Sequence, residues 1–271
     1  GHGRLGCVYR EKEVKKEGIP LQRYFINTAK ENIEGDIFIT GDDVHHISRV
    51  LRMQPGNKVV CCTKDGFEAL CEIVEITNDQ VSCSVLEWMT VNHELPVSIS
   101  IASGLPKGDK LEWIIQKGTE LGASSFIPFN AARSIVKLET KKVGKKLERW
   151  SKIAKEASEQ SYRNTIPTIS EPCDFHELIS LAKGFDVKIV AYEESAKQGE
   201  KKNLAKAFDE LQVGGSMLAV FGPEGGLTEK EVSKLEEAGF IICSFGPRIL
   251  RTETAPLYLL SAVSYNFELS R

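Results

Sequence analysis

The chain has 271 residues, 41% of them hydrophobic and 27% charged, with a formal net charge of −3. That suffices for one large core or two modest ones and excludes a uniformly basic nucleic-acid binder. No apolar run approaches the roughly 18 residues of a membrane span.

Residues 1–20 are polar and unpatterned, with no apolar stretch that would make a signal peptide. This leader is expected to be disordered or foreign to the natural chain. From Leu21 to about residue 92 short β-type runs follow one another: "RYFI", "DIFIT", "NKVVCCT", "FEALCEIVEI" and "QVSCSVLEW". Turn signals at Pro55-Gly56, Asp65-Gly66 and Asn78-Asp79 separate them. One helix interrupts them, "DDVHHISRVLRM", with Asp42 or Asp43 as its cap and Val44, Ile47 and Leu51 on one face. The pattern predicts a small β-barrel, 21–92, and "TVNHELP" links it onward.

From Val97 strands and helices alternate, which predicts an α/β domain over 97–271. "VSISIASGL" is a strand. "GDKLEWIIQKGTELG" is a helix with Asp109 and Glu112 at capping-box spacing. "SFIPF" is a strand, and a long helix runs from about Thr140 to Tyr162 with Val143, Leu147, Trp150, Ala154, Ala157 and Ser161 inward. Helices "FHELISLA" and "NLAKAFDEL" and strands "VKIVAY" and "SMLAVFG" come next. Thr228 and Glu231 form a second capping-box pair before a helix that Gly239 ends. "FIICSFG" is the last strand. The last helix has Thr254 at its cap and Pro256 in its first turn, and "LYLLSAVSYNF" is apolar almost all round.

Charge is unevenly spread. Between Arg133 and Arg163 stand ten Lys/Arg against four Glu, a local excess of +6; a solvated helix face and an RNA contact both fit it. The seven cysteines include no C-x-x-C pair and no complement of His or carboxylate for zinc. They read as small buried hydrophobes in a reducing, cytoplasmic setting, and no metal is expected.

Two apolar strands break on the same tripeptide, in "FGPEGGLTEKEV" and "FGPRILRTETAPLYLL". In open α/β sheets, ligands bind beyond the carboxyl ends of strands, and glycine allows close backbone approach. Neither loop has the lysine or the glycine spacing of a phosphate cradle, and Glu224 would repel phosphate. The loops alone fit either plain turns or a ligand that is neutral or cationic beside Glu224, such as S-adenosylmethionine.

These two loops closely resemble the RsmE family of 16S rRNA uridine-N3 methyltransferases, in the SPOUT superfamily. The resemblance extends through "QRYFI", "HHISRVLRMQPG", "GLPKGDKLEWIIQKGTELG", "PFNAARS" and "ERWSKIAKEASEQSYR", nearly the whole chain after Leu21. It implies a PUA-like β-barrel that binds RNA, followed by a SPOUT α/β domain with a C-terminal trefoil knot. It also implies S-adenosylmethionine as cofactor, 16S rRNA as substrate (the assembled 30S subunit preferred over naked RNA), and a homodimer. Gly222, Glu224, Gly225, Phe245, Gly246, Ile249 and Leu250 would frame the cofactor, and Thr254 would cap the last helix, touch the ligand, or both.

Methylating N3 of uracil requires its anion, so a cation near the ring lowers the barrier. Arg251 and Arg248 are the candidates, and Glu253 either takes the proton or pairs with an arginine. Arg23, Arg49, Arg52, Lys107, Arg133 and Arg163 are the candidate phosphate contacts. His45 and His46 read as packing or RNA contact rather than catalysis. Two other readings stay open: an RNA-binding module with a non-catalytic or differently targeted pocket, and an unrelated α/β enzyme with a nucleotide cofactor.

Overall fold

The structure, a computed structural model, describes residues 21–138, 140–193 and 202–270. The leader lies outside them. The chain forms two compact units: one ends at Glu94 and also takes in Tyr162–Thr165, and the other comprises Leu95–Ser161 and everything from Ile166 on.

The first unit is a five-stranded sheet of β1 (Arg23–Phe25), β2 (Ile37–Thr40), β3 (Lys58–Cys62), β4 (Glu68–Ile76) and β5 (Gln80–Trp88), in the order β1-β3-β4-β5-β2. All pairings are antiparallel except β1 with β3. The pairing path leaves β1 and β2 as edges, so the expected barrel is a half-barrel sheet. Ile37, Ile39, Val59, Cys61, Cys71, Ile73, Val81 and Cys83 fill its concave core. Their period-two spacing is what places them on one face. The helix between β2 and β3 is α1 (Asp42–His45), continued by a wider π-type turn, His46–Val50. Its N-cap is Gly41 and neither aspartate caps it through its side chain. His46 Nδ1 lies 3.0 Å from the Tyr24 hydroxyl, a packing role.

The returning segment Tyr162–Thr165 is tied into this unit by buried charge. Arg163 Nε donates to Glu94 Oε2 at 3.0 Å, and Thr165 Oγ1 to Glu94 Oε1 at 2.6 Å. Asn164 Nδ2 donates to Glu68 Oε2 at 2.7 Å, while Arg23 Nη2 reaches Glu68 Oε1 at 2.6 Å. Tyr162 has φ of 59°, the left-handed turn that breaks the chain off the preceding helix.

The second unit carries β6 (Ser98–Gly104), α2 (Lys110–Glu120), β7 (Ser125–Asn130), α3 (Thr140–Gln160), β8 (Thr168–Ile169), β9 (Cys173–Asp174) and α4 (Phe175–Ala182). After them come β10 (Val187–Ala191), α5 (Asn203–Glu210), β11 (Ser216–Phe221), α6 (Glu229–Glu237), β12 (Ile241–Cys243) and α7 (Ala255–Ser264). Its sheet runs β12-β10-β11-β6-β7-β8 with β9 beside β7, and every pairing is parallel. Such a sheet must be covered on both faces. Alternate residues of β11 show how: Met217, Ala219 and Phe221 join one core with α2, α3, α5 and α7, while Leu218 and Val220 join another with α4 and α6. α7 is followed by a π-type turn, Tyr265–Leu269.

Of the two predicted capping boxes, Thr228/Glu231 forms. Asp109 is the N-cap of α2 but accepts no cap bond through its side chain, its ψ of 11° being far from the 157° of Thr228, and the Glu112 carboxylate that would complete the box is held by Arg149 of α3 in a bidentate pair.

Candidate active site

Parallel register brings three strand ends level. Ala191 of β10 aligns with Cys243 of β12, and Val190 with Val220, so Phe221 lies beside Ala191. Above this floor three loops rise, after β10, β11 and β12. They enclose a cavity of about 580 Å³ lined by Phe221, Gly222, Pro223, Glu224, Gly226 and Leu227, by Phe245 and Ile249–Glu253, and by Tyr192, Glu193 and Lys110. That volume suits a small-molecule ligand.

The two Phe-Gly-Pro loops are fixed to each other from below. The rings of Phe221 and Phe245 meet edge to face with centroids 5.7 Å apart, and Phe245 stacks on Tyr258 of α7 at 5.9 Å. Gly222 is required by close approach: a Cβ there would stand 2.9 Å from Leu227 N and 3.0 Å from the Gly226 carbonyl carbon. Gly226 has φ of 76°, where a side chain is strained.

Several expected residues sit elsewhere than the sequence implied. Gly225 is outside the cavity; its carbonyl accepts from Arg133 Nη1 at 3.0 Å and its Cα faces the Arg133 side chain. Gly246, Arg248 and Thr254 also do not line the cavity. Thr254 is the N-cap of α7 without a side-chain cap bond. Glu224 does line it, but its carboxylate is engaged with Lys110 Nζ at 2.9 Å and Lys107 N at 2.8 Å. Desolvation pushes that carboxyl up, and the two donors more than reverse it, holding it below the usual carboxylate range. The Glu224 carboxylate is therefore engaged by a lysine at the cavity wall.

Of the three expected catalytic residues the cavity takes Arg251 and Glu253. Tyr192, Glu193 and Lys110 were missed. Tyr192 and Glu193 follow the β10 strand end, so the rule that exposed the other two loops applies to them too. Partial desolvation raises the Glu193 carboxyl, which has no ion-pair partner among the described residues. Burial pushes the cavity thiol Cys243 up to about 12, so it is no nucleophile at neutral pH. The six described cysteines are free and buried. No group of three or more metal-ligating side chains occurs among the described residues.

Arg23 and Arg163 do not serve as the expected phosphate contacts. Their side chains are 4% and 3% exposed and held by Glu68 and Glu94, and freeing them would leave buried carboxylates unpaired. Arg49, Arg52, Lys107 and Arg133 are exposed.

The family model for an RNA methyltransferase domain matches residues 93–264, and one for an RNA methyltransferase PUA domain matches 39–86. The chain belongs to the ribosomal RNA small subunit methyltransferase E family, being 58% identical to that protein from Bacillus subtilis over 253 residues, 93% of this chain and 99% of the relative. The Neisseria gonorrhoeae family structure bound to S-adenosyl methionine is 28% identical, with a TM-score of 0.77 over 91% of this chain and 98% of that one. A putative methyltransferase from Legionella pneumophila, also in complex with that cofactor, is 27% identical with a TM-score of 0.76, covering 92% and 98%. The expectation of a PUA-like unit before an α/β unit is met.

Proposed function

We propose that this chain transfers the methyl group of S-adenosylmethionine to N3 of a uridine in 16S rRNA, acting on the assembled 30S subunit. The observation that carries the cofactor is the cavity. Apolar walls from Phe221, Leu227, Ile249 and Leu250 suit adenine, acidic groups at Glu193 and Glu253 suit a cation, and no glycine loop offers a phosphate-gripping lysine. The cofactor supplies an electrophilic methyl on a sulfonium. Backbone at Gly222, Gly226, Phe245, Ile249 and Leu250 would orient it.

Arg251 stabilises negative charge growing on the uracil ring. Glu253, two residues on in the same wall, either accepts the N3 proton or sets the arginine. Arg49 and Arg52 in the first unit and Lys107 and Arg133 in the second contact phosphate, and residues 21–92 act as an RNA-binding domain ahead of the catalytic domain, 97–271. The trefoil knot and the homodimer implied by the resemblance belong to the same reading. Its support is an apolar strip on and beside α7 that one protomer leaves open: Ile249 is 91% exposed, and Tyr258, Tyr265 and Leu269 are exposed too. No helix among the described residues is long and apolar enough to cross a membrane, and the proposed location is the cytoplasm with its ribosomes.

Calorimetric titration with S-adenosylhomocysteine in the presence of EDTA tests the cofactor assignment. Saturable binding at sub-millimolar ligand is expected. Its absence would favour an RNA-binding module with a non-catalytic pocket.

A further inference from the structure

The basic excess of the sequence is not spread along α3. From Arg133 to Lys146 the chain has six Lys/Arg against one Glu; from Leu147 to Arg163 it has four against three. The second group is also internally matched. Arg149 is bound to Glu112, Lys152 lies 3.9 Å from Glu156, Lys155 lies 3.8 Å from Glu159, and Arg163 is buried on Glu94. In the first group Lys137, Lys141, Lys145 and Lys146 are exposed.

Lys141 and Lys142 stand in the first turn of this helix. The first turn of α3 has no acidic residue, and cations there oppose the positive end of the helix macrodipole. An external anion would offset that opposition.

Geometry places the group at the cavity. Lys110 begins α2 and lines the cavity, and Glu112 stands in the same turn. Arg149 docks on Glu112, so this part of α3 lies level with the cavity wall. α2 and α3 follow neighbouring parallel strands and point the same way, away from the carboxyl edge. At ~1.5 Å per residue, Lys145 and Lys141 therefore lie roughly 6 and 12 Å further along the α3 axis than Arg149, toward the carboxyl edge of the sheet. Arg133, which leads into this segment, sits against the Gly225 carbonyl on the same edge.

We infer that the first half of α3 is a docking strip for RNA phosphate, holding the backbone that flanks the target nucleotide beside the cavity mouth. The inference rests on the methyltransferase reading above and adds the surface that receives the substrate.

The test compares the wild-type protein, a triple variant Lys141→Gln, Lys145→Gln, Lys146→Gln, and a control variant Lys152→Gln, Lys155→Gln. Binding to transcribed 16S rRNA is measured by fluorescence anisotropy across a salt series, with S-adenosylhomocysteine titrations alongside. The triple variant is expected to lower the slope of log K against log[salt] by about 2–3, at roughly 0.7–0.9 per lost phosphate contact. Cofactor affinity and thermal stability should be retained, and the control should keep the wild-type slope. An unchanged slope in the triple variant, with wild type still binding, overturns the strip while leaving the methyltransferase reading intact. A triple variant that binds rRNA normally but loses binding to 30S particles overturns it in favour of a protein partner. If the wild type binds S-adenosylhomocysteine but not rRNA, the substrate reading falls and the strip with it.

Discussion

Phe221 and Phe245, the residues that open the two Phe-Gly-Pro loops, touch each other, ring edge to ring face at 5.7 Å and 68°. The repeated tripeptide is therefore one joint, made by two strand ends two places apart in the sheet. Phe245→Ala removes both this contact and the stack on Tyr258, at about 3–5 kcal/mol for a buried phenylalanine. Thermal unfolding should show that loss, and calorimetry should show S-adenosylhomocysteine affinity falling at least tenfold as the loop loses its seat.

Gly222→Ala forces a Cβ against backbone atoms at 2.9 and 3.0 Å. The loop must open, and cofactor affinity should fall tenfold or more, on the order of 1.4 kcal/mol. Gly225→Ala meets Arg133, its Cβ at 3.2 Å and its carbonyl oxygen at 3.6 Å, and should bind within a few-fold of wild type. Equal losses in both variants would move the cofactor away from the inner side of this loop.

Arg251→Ala should lower the methylation rate far more than cofactor affinity, because the charge it stabilises develops only in the transition state. If rate and affinity fall together, the arginine shapes the pocket and does not act on the uracil.

Desolvation raises the Glu94 carboxyl, but Arg163, Thr165 and Asn164 together hold it below its ordinary 4.5. A carboxyl depressed by folding contributes stability that is fully present above its unfolded value and is lost as pH falls through the folded one. Melting temperatures should therefore drop below about pH 4.5, with a smaller acid-dependent drop in Glu94→Gln. Glu94→Ala, which takes the carboxylate away from the buried Arg163 guanidinium, should cost about 3–5 kcal/mol at neutral pH.

Gly118→Ala places a methyl 2.8 Å from the Phe126 ring. Overpacking of this kind costs about 1–3 kcal/mol. Urea unfolding should show it, with methyl transfer unaltered at temperatures where the variant is folded.

What could be read from the sequence was what neighbours in sequence decide. The Thr228/Glu231 box is set within four residues and forms; Asp109/Glu112 has the same spacing and does not form, and its glutamate is bound by Arg149, 37 residues on. Arg23 and Arg163 look like free cations until folding brings Glu68 and Glu94 to them, from 45 and 69 residues away. Both glycine loops were legible through their shared tripeptide. The β10 loop was not, since Tyr192 and Glu193 carry no glycine or proline, and only strand register puts them on the same floor. Glu224 kept its place in the cavity wall, and its pairing with the Lys110 ammonium was not legible because the lysine lies 114 residues away in the chain.

The central claim is the chemistry at N3 of uridine in 16S rRNA, and nucleoside mass spectrometry tests it most directly. 30S subunits from a strain lacking this gene are incubated with the purified protein and S-adenosylmethionine, and their 16S rRNA is digested and analysed. The account requires 3-methyluridine to be missing before incubation and present after it. If 3-methyluridine is already present in that strain, or if incubation produces a different methylated nucleoside, the uridine-N3 assignment is wrong.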